Sequence, residues 1–557
     1  ILNNWIMKRI LRTISYIIWV VFVLGLTNCN DELTTRSSTD VEEETILSST
    51  TGLNMALRSA YHYLLMGESY SSQNDICYTG MPGLAIWFDA AGEDIISTKN
   101  YGGSQEDAYN FAPDRTRSSG VYAKRIWSNF YKIINQCNII IDALPEATGT
   151  DEEKSEIKGQ ALAMRGLSYF VLLTTYQQTY AIAKDKRGVI LRTSADDPDS
   201  MPFSTVEQCY QQVVADLKEG ASLLSSFERT EKWQIDEDVA KGFLARVYQV
   251  MGDWENALLS AKAVYDDYST LMTREQWCSG FDNFLTDGCP ELVWGVKYTN
   301  VSNISTCTIF NIWYNQDPSY GEGMTQGPIY SFINFFVDSK YVDLFDDTDY
   351  RGTKCEKTDG VTDEDEKNVM FWHRTNNGDA EIKAKWAYNK FKYYGDADGA
   401  PMGNTYPELP LMRSAEMLLI MAEAEANLGN VTSALSYLNL LQSARMVSNQ
   451  TTSVAKEELL EEIYKERRKE LLGEGVTGTY DLLRLQKPLY RYAATSSNPA
   501  GHYSWGLLYL DGYNASESQP YAYLPSNDYR FINQIPELEL TNNTAISQSD
   551  QNPFSGQ

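Results

Sequence analysis

Trp87 and the pair Trp313-Tyr314 are the side chains in this sequence best suited to holding a ligand. Trp87 lies in Ala85-Ile86-Trp87-Phe88-Asp89, and the pair lies in Ile312-Trp313-Tyr314-Asn315-Gln316-Asp317. In both stretches rings sit beside carboxylate or amide groups, outside any clear helical period. A flat ring covers the apolar face of a pyranose, while Asp, Asn or Arg side chains bond its hydroxyls. The pattern therefore suits sugar recognition by rings from two separated loops. Asn74, Asp75 and Asp89 would add polar contacts, and Tyr320 is a further ring candidate. The same rings have a plainer use, which is to pack loops onto a scaffold.

Other chemistry does not assemble. There is no GxSxG, HExxH or P-loop pattern, and His62, His373 and His502 share no local spacing. Gly473-Glu474-Gly475-Val476-Thr477-Gly478 matches GxGxxG, but it follows the charged helical stretch 456–472 rather than a strand. It reads as a loop between two helices and not as a dinucleotide site. The acidic stretches 343–349 and 363–366 are of a kind that holds Ca²⁺, yet neither has the Asp-x-Asp-x-Asp-Gly pattern, so both read as solvated surface. No metal, cofactor or catalytic residue is expected. A glycosidase would need two carboxylates at a set separation. With 75 acidic residues such pairs arise by chance, and no motif singles one out.

The elements that must position these groups are mainly helical. Val239, Phe243, Val247 and Val250 keep one helical face, as do Ala415, Leu418, Leu419, Ala422 and Ala426. Further helices fit residues 122–144, 157–176 and 205–224. Two segments repeat a pattern: Ala245 to Gly252 then Asp253 and Ala257-Leu258, and Ala422 to Gly429 then Asn430 and Ala434-Leu435. Gly ends one helix, Asp or Asn caps the next, and small Ala lets the two pack closely. This is the grammar of tetratricopeptide-like hairpins. The expected fold is mainly α, about four helix pairs in a single domain over residues 51–557. Long loops with short β-strands, at 74–117, 270–330 and 349–410, are expected to cover it.

With 557 residues, 43% hydrophobic and 22% charged, the chain is long enough for a sizeable core. Its net charge of −28 and lack of a basic patch disfavour nucleic acid. Residues 1–6 precede Met7 and read as upstream translated sequence. Lys8, Arg9 and Arg12 then lead into an apolar run over 17–26, of signal-peptide length. Leu26-Thr27-Asn28-Cys29 follows, which resembles a bacterial lipobox. Residues 1–28 are thus expected to be removed and Cys29 to carry lipid, the only membrane attachment. Residues 29–50 read as a lipidated flexible tether. Asn30-Asp31-Glu32 resembles the surface-export signal of Bacteroidetes-type lipoproteins. Beyond Cys29, Cys77, Cys137, Cys209, Cys278, Cys289, Cys307 and Cys355 show no CxxC. Buried free thiols are expected, with a Cys278–Cys289 bridge conceivable.

Four stretches together resemble the SusD/RagB family. Residues 157–170 (IKGQALAMRGLSYF) resemble its Ala-x-x-Arg-Ala-x-x-Tyr-Phe helix, and 409–424 (LPLMRSAEMLLIMAEA) its Leu-Arg-x-Ala-Glu helix. Residues 466–475 (ERRKELLGEG) with Asp481-Leu482-Leu483-Arg484 resemble its Glu-Arg-Arg-x-Glu-Leu and Asp-Leu-x-Arg pair, and Ile535-Pro536-Glu537-Leu538-Glu539 its C-terminal ending. The GxGxxG then becomes a variant of the family's Glu-Gly turn. Arg413, Glu416, Glu423, Glu466 and Arg467 fall among apolar helix positions and are expected to pair between helices. The resemblance implies a non-enzymatic lipoprotein of the outer membrane, facing the cell exterior. Such a protein captures glycans, or in some members peptides, and covers a TonB-dependent SusC-like barrel as a lid. It implies that rings from the two loop regions often bind ligand, and it does not fix which ligand. An envelope glycoside hydrolase is the reading from another class.

Overall fold

The structure, a computed structural model, describes residues 46–65, 67, 80–97, 106–112, 117–278, 281, 288–297, 335–355, 370–374, 385–388, 390–391, 408–452, 455–517 and 519–553. Eleven of its helices build the scaffold or meet the site: α1 (Thr50–Leu65), α2 (Met81–Ala90), α3 (Val121–Ala143), α4 (Asp151–Tyr176), α5 (Val206–Leu223), α6 (Glu237–Met251), α7 (Trp254–Asp267), α8 (Ser414–Asn427), α9 (Val431–Arg445), α10 (Lys456–Leu471) and α11 (Thr479–Arg484). Local chemistry sets their starts. Thr150 and Thr205 each accept a bond from the backbone N–H three residues on. Glu153 and Gln208 bond back to the N–H of the cap, closing a capping box at α4 and at α5.

The long helices stack in sequence order. They pair as α1 with α3, α4 with α5, α6 with α7 and α8 with α9, and neighbouring pairs meet through α3–α4, α5–α6 and α7–α8. The four expected pairs are present, and α10 closes the stack against α8. Gly252 (φ 74°) and Gly429 (φ 88°) turn the chain between α6 and α7 and between α8 and α9, in the left-handed region that glycine adopts without strain. Ala257 and Ala434 are fully buried at these hairpins. Only the first hairpin has the expected side-chain cap: Asp253 accepts from the Asn256 N–H at 3.3 Å. Asn430 instead turns its amide to Glu425 Oε2 at 2.6 Å.

Strands occur in the stretches that lacked helical period and also outside them, at 335–337, 489–492 and 521–524. A five-stranded sheet orders β1 (Ile95–Ser97), β3 (Phe335–Val337), β6 (Lys385–Tyr388), β5 (Phe371–Arg374) and β4 (Lys354–Cys355). The strand β2 (Leu292–Lys297) pairs antiparallel with β7 (Glu408–Arg413), and β7 runs straight into α8. A last pair joins β8 (Leu489–Tyr492) to β9 (Tyr521–Leu524). One expectation is corrected: residues 85–89 are not loop but the second half of α2. Every residue from Pro82 to Ala90 is buried. A helix covered on all sides carries no amphipathic stripe, so its period does not show in sequence. Cys137, Cys209, Cys278 and Cys289 are free thiols, as expected, and burial pushes Cys137 up to about 12. Among the described residues no helix is long and apolar enough to cross a membrane.

Candidate functional site

The candidate ring on the first loop region lies inside the protein. Trp87 is 4% exposed, and its ring centroid lies 4.8 Å from that of Tyr122 on α3. Asp89 is 1% exposed. Positions two apart on a helix point to different sides, so the two side chains diverge rather than form one ligand face. Asp89 accepts from the Gly473 N–H at 2.8 Å and from the Thr477 hydroxyl. Burial pushes its carboxyl up to about 7, against those two bonds, which favour the charged form. Trp87 and Asp89 therefore act as packing and anchoring groups, correcting the expectation of an open platform at this position.

Asp89 explains the GxGxxG turn. Gly473, Gly475 and Gly478 all take positive φ (91°, 79° and 56°) between α10 and α11. A Cβ on Gly475 would lie 2.6 Å from Ala85 Cα, and one on Gly478 would lie 2.2 Å from Phe88 O. The glycines let this turn press against α2 while Asp89 ties it down. The sequence reading of a loop between two helices holds.

Asn74, Asp75, Trp313, Tyr314, Tyr320 and Cys29 lie outside the described residues. The strands β1 and β3 are antiparallel with Ser97 opposite Phe335. The chain therefore leaves β1 and enters β3 at the same sheet end.

Beneath the family-type motifs sits a buried ionic cluster. Arg413 Nη1 lies 2.7 Å from Glu291 and 2.9 Å from Glu470, and its Nε lies 3.0 Å from Glu474. Arg445 Nη2 reaches Glu291 at 2.6 Å and Glu470 at 3.1 Å. Arg351 reaches Glu470 at 2.7 Å, Glu466 at 2.6 Å and Asp349 at 2.7 Å. Lys390 Nζ bonds Glu474 at 2.6 Å, and Lys469 Nζ lies 2.9 Å from Glu466. Five cations thus face five carboxylates, and the Trp277 ring lies 4.9 Å from the Arg445 guanidinium. Burial alone would raise the Glu466 carboxyl. Arg351 and Lys469 outweigh it and hold the group near 2. Separate pairs join Arg246 to Glu416, Arg467 to Asp481 and Arg484 to Glu423. The expected interhelical pairing of Arg413, Glu416, Glu423, Glu466 and Arg467 is observed. Their partners Glu291 and Arg351 were missed, as was Lys390, the partner of Glu474, since all three stand in stretches without period and meet the motifs only in space. Among the described residues no three His, Cys, Asp or Glu side chains group as metal ligands.

A stack of four helical hairpins, tied to the flanking strands by a buried ionic cluster, defines the class: a tetratricopeptide-like helical scaffold. Two family models match the chain. One, described as "Starch-binding associating with outer membrane", covers residues 86–249, and the other, described as the SusD family, covers 385–554. The chain belongs to the SusD/RagB family. Formosa agariphila SusD-like protein P38 is 22% identical over 92% of this chain and 99% of that protein. The crystal structure of a SusD-like carbohydrate binding protein from Bacteroides vulgatus superposes with a TM-score of 0.72 at 26% identity, covering 91% of this chain and 99% of that one. A SusD superfamily protein from Bacteroides thetaiotaomicron gives 0.68 at 25%, covering 91% and 100%.

Proposed function

We propose that this protein is a cell-surface lipoprotein that binds oligosaccharide or polysaccharide nutrients and passes them to a TonB-dependent, SusC-like barrel of the outer membrane. The observation that carries the reading is the match along 91% of the chain to a SusD-like carbohydrate binding protein. The ligand rings are Trp313, Tyr314 and Tyr320, with polar help from Asn74 and Asp75. Cys29 is the lipid anchor, and Asn30-Asp31-Glu32 directs the protein outward. The role is binding without turnover. The buried carboxylates of the motifs are each tied to a cation. Asp89, whose raised value would suit a general acid, is sealed from water by Gly473 and Thr477.

Four experiments test the parts. Purification in mild detergent recovers a barrel partner, and repeated recovery of the protein alone contradicts delivery. Cys29→Ala releases the protein from membranes, and persistent partitioning without N-terminal lipid contradicts the anchor. Calorimetry with a bound glycan shows weaker binding by Trp313→Ala, and unchanged affinity with an intact fold removes that ring from the site. Release of shortened sugar from incubated polysaccharide would favour an enzyme.

A further inference from the structure

Four tyrosines form the whole outward face of the β8–β9 ribbon. The register sets Tyr490 opposite Tyr523 and Tyr492 opposite Tyr521. Tyr490, Tyr492 and Tyr521 are 41%, 38% and 44% exposed. Ring centroids of the opposed pairs lie 6.2 and 6.0 Å apart, and the diagonal Tyr490–Tyr521 pair 6.1 Å apart. The alternate residues Leu489, Arg491, Ala522 and Leu524 point inward and are fully buried. Period-two alternation thus turns all four rings outward, three of them exposed and Tyr523 half-buried beside Gly512. Among the described residues no side chain or backbone group bonds any of the four hydroxyls.

A two-stranded ribbon is weak by itself, and this one is fixed from beneath. Arg491 donates to the carbonyls of Gly92 at 2.8 Å, Ala90 at 3.1 Å, Gly506 at 3.1 Å and Tyr109. Its guanidinium lies 4.3 Å from the Tyr109 ring centroid. Leu489, Ala522 and Leu524 join Leu482, Leu507, Leu510 and Phe531 in a second apolar cluster. The array is therefore held in place before anything binds, which lowers the ordering cost of binding.

We propose that this face is a carbohydrate platform on which pyranose units of a polysaccharide stack. The proposal rests on the glycan-binding reading above. Size and chemistry favour a sugar over a protein. The three most exposed rings offer on the order of 300 Å² of surface, against about 800 Å² per partner in a standard protein interface. Strands about 4.8 Å apart and outward positions about 6.7 Å apart space the rings at roughly the width of one sugar ring. Tyr490, Tyr492 and Tyr521 each present part of a ring beside its hydroxyl to solvent, matching the apolar face and hydroxyl rim of a pyranose. Lys340, whose Nζ lies 5.5 Å from the Tyr492 ring, supplies a donor at the edge.

The test is affinity electrophoresis of the full chain through gels containing soluble starch, xylan, galactomannan or pectin. The wild type is retarded in at least one gel. The double variant Tyr490→Ser/Tyr521→Ser loses affinity roughly tenfold there, with an unchanged melting temperature because both side chains face solvent. Equal retardation of variant and wild type overturns the platform while the glycan reading stands. Retardation in no gel overturns both. A variant that keeps its retardation but loses copurification of a barrel partner makes the face a protein interface and overturns the proposal. If the double variant fails to fold, nitration of the wild type by tetranitromethane decides. Protection of Tyr521 by the retarding polysaccharide supports the platform, and an unaltered nitration rate refutes it.

Discussion

Replacing Arg413 with Met tests whether the ionic cluster holds the C-terminal helices together. The side chain is fully buried and meets three carboxylates, Glu291, Glu470 and Glu474. In Arg413→Met the apolar volume is largely kept, so the effect reads out charge. Four cations would then face five carboxylates. Glu474 would keep only Lys390, and Glu291 only Arg445. Leaving a buried charge uncompensated costs about 3–5 kcal/mol. Unfolding entropy of about 2 cal/mol/K per residue over about 500 folded residues is roughly 1 kcal/mol/K, so the melting temperature falls by about 3–5 °C. The assay is differential scanning calorimetry at pH 7.5, with Lys158→Ala as the control. Lys158 pairs with Glu219, but the two side chains are 39% and 52% exposed, and such a pair contributes about 0–1 kcal/mol. A shift for Arg413→Met no larger than that of the control would refute the reasoning.

Gly475→Ala forces a side chain into a φ of 79° and to 2.6 Å from Ala85 Cα, so a loss of about 2 kcal/mol or more is expected; an unchanged urea midpoint contradicts the close approach of the turn to α2. Ala434→Leu overpacks the α8–α9 hairpin and lowers stability by about 1–3 kcal/mol, and thermal melts showing no loss would deny the tight contact. Asp89 gives a pH prediction with a definite sign. Its folded value is raised from 3.8 to about 7, so its contribution is fully present below pH 3.8 and is lost as pH rises through about 7. The urea midpoint of Asp89→Asn should therefore fall less than that of the wild type between pH 5 and 7.5, and parallel pH profiles would contradict the assignment.

The helical part of this fold was legible because its signals are local. Gly252 with Asp253 marks a hairpin within two residues, whereas the Thr150–Glu153 capping box went unread and α4 begins at Asp151 rather than 157. The helix α2 escaped because burial on every side removes the stripe that periodicity needs. That omission misplaced Trp87 and Asp89. The charged cluster was half legible. Motif residues such as Arg413 and Glu466 stood out among apolar neighbours, but their partners lie far along the chain: Arg351 is 119 residues from Glu470. The tyrosine ribbon carried a readable signal in Leu489-Tyr490-Arg491-Tyr492 and Tyr521-Ala522-Tyr523-Leu524. What the sequence lacks is the register that brings those eight residues into one face.

Binding of the purified protein to an immobilised array of glycans and peptides tests the central claim most directly. The account predicts retention on one or more oligosaccharide or polysaccharide features, with no release of shortened product and no retention on peptides. Retention on peptides alone would contradict the glycan reading and favour the same scaffold as a peptide receptor.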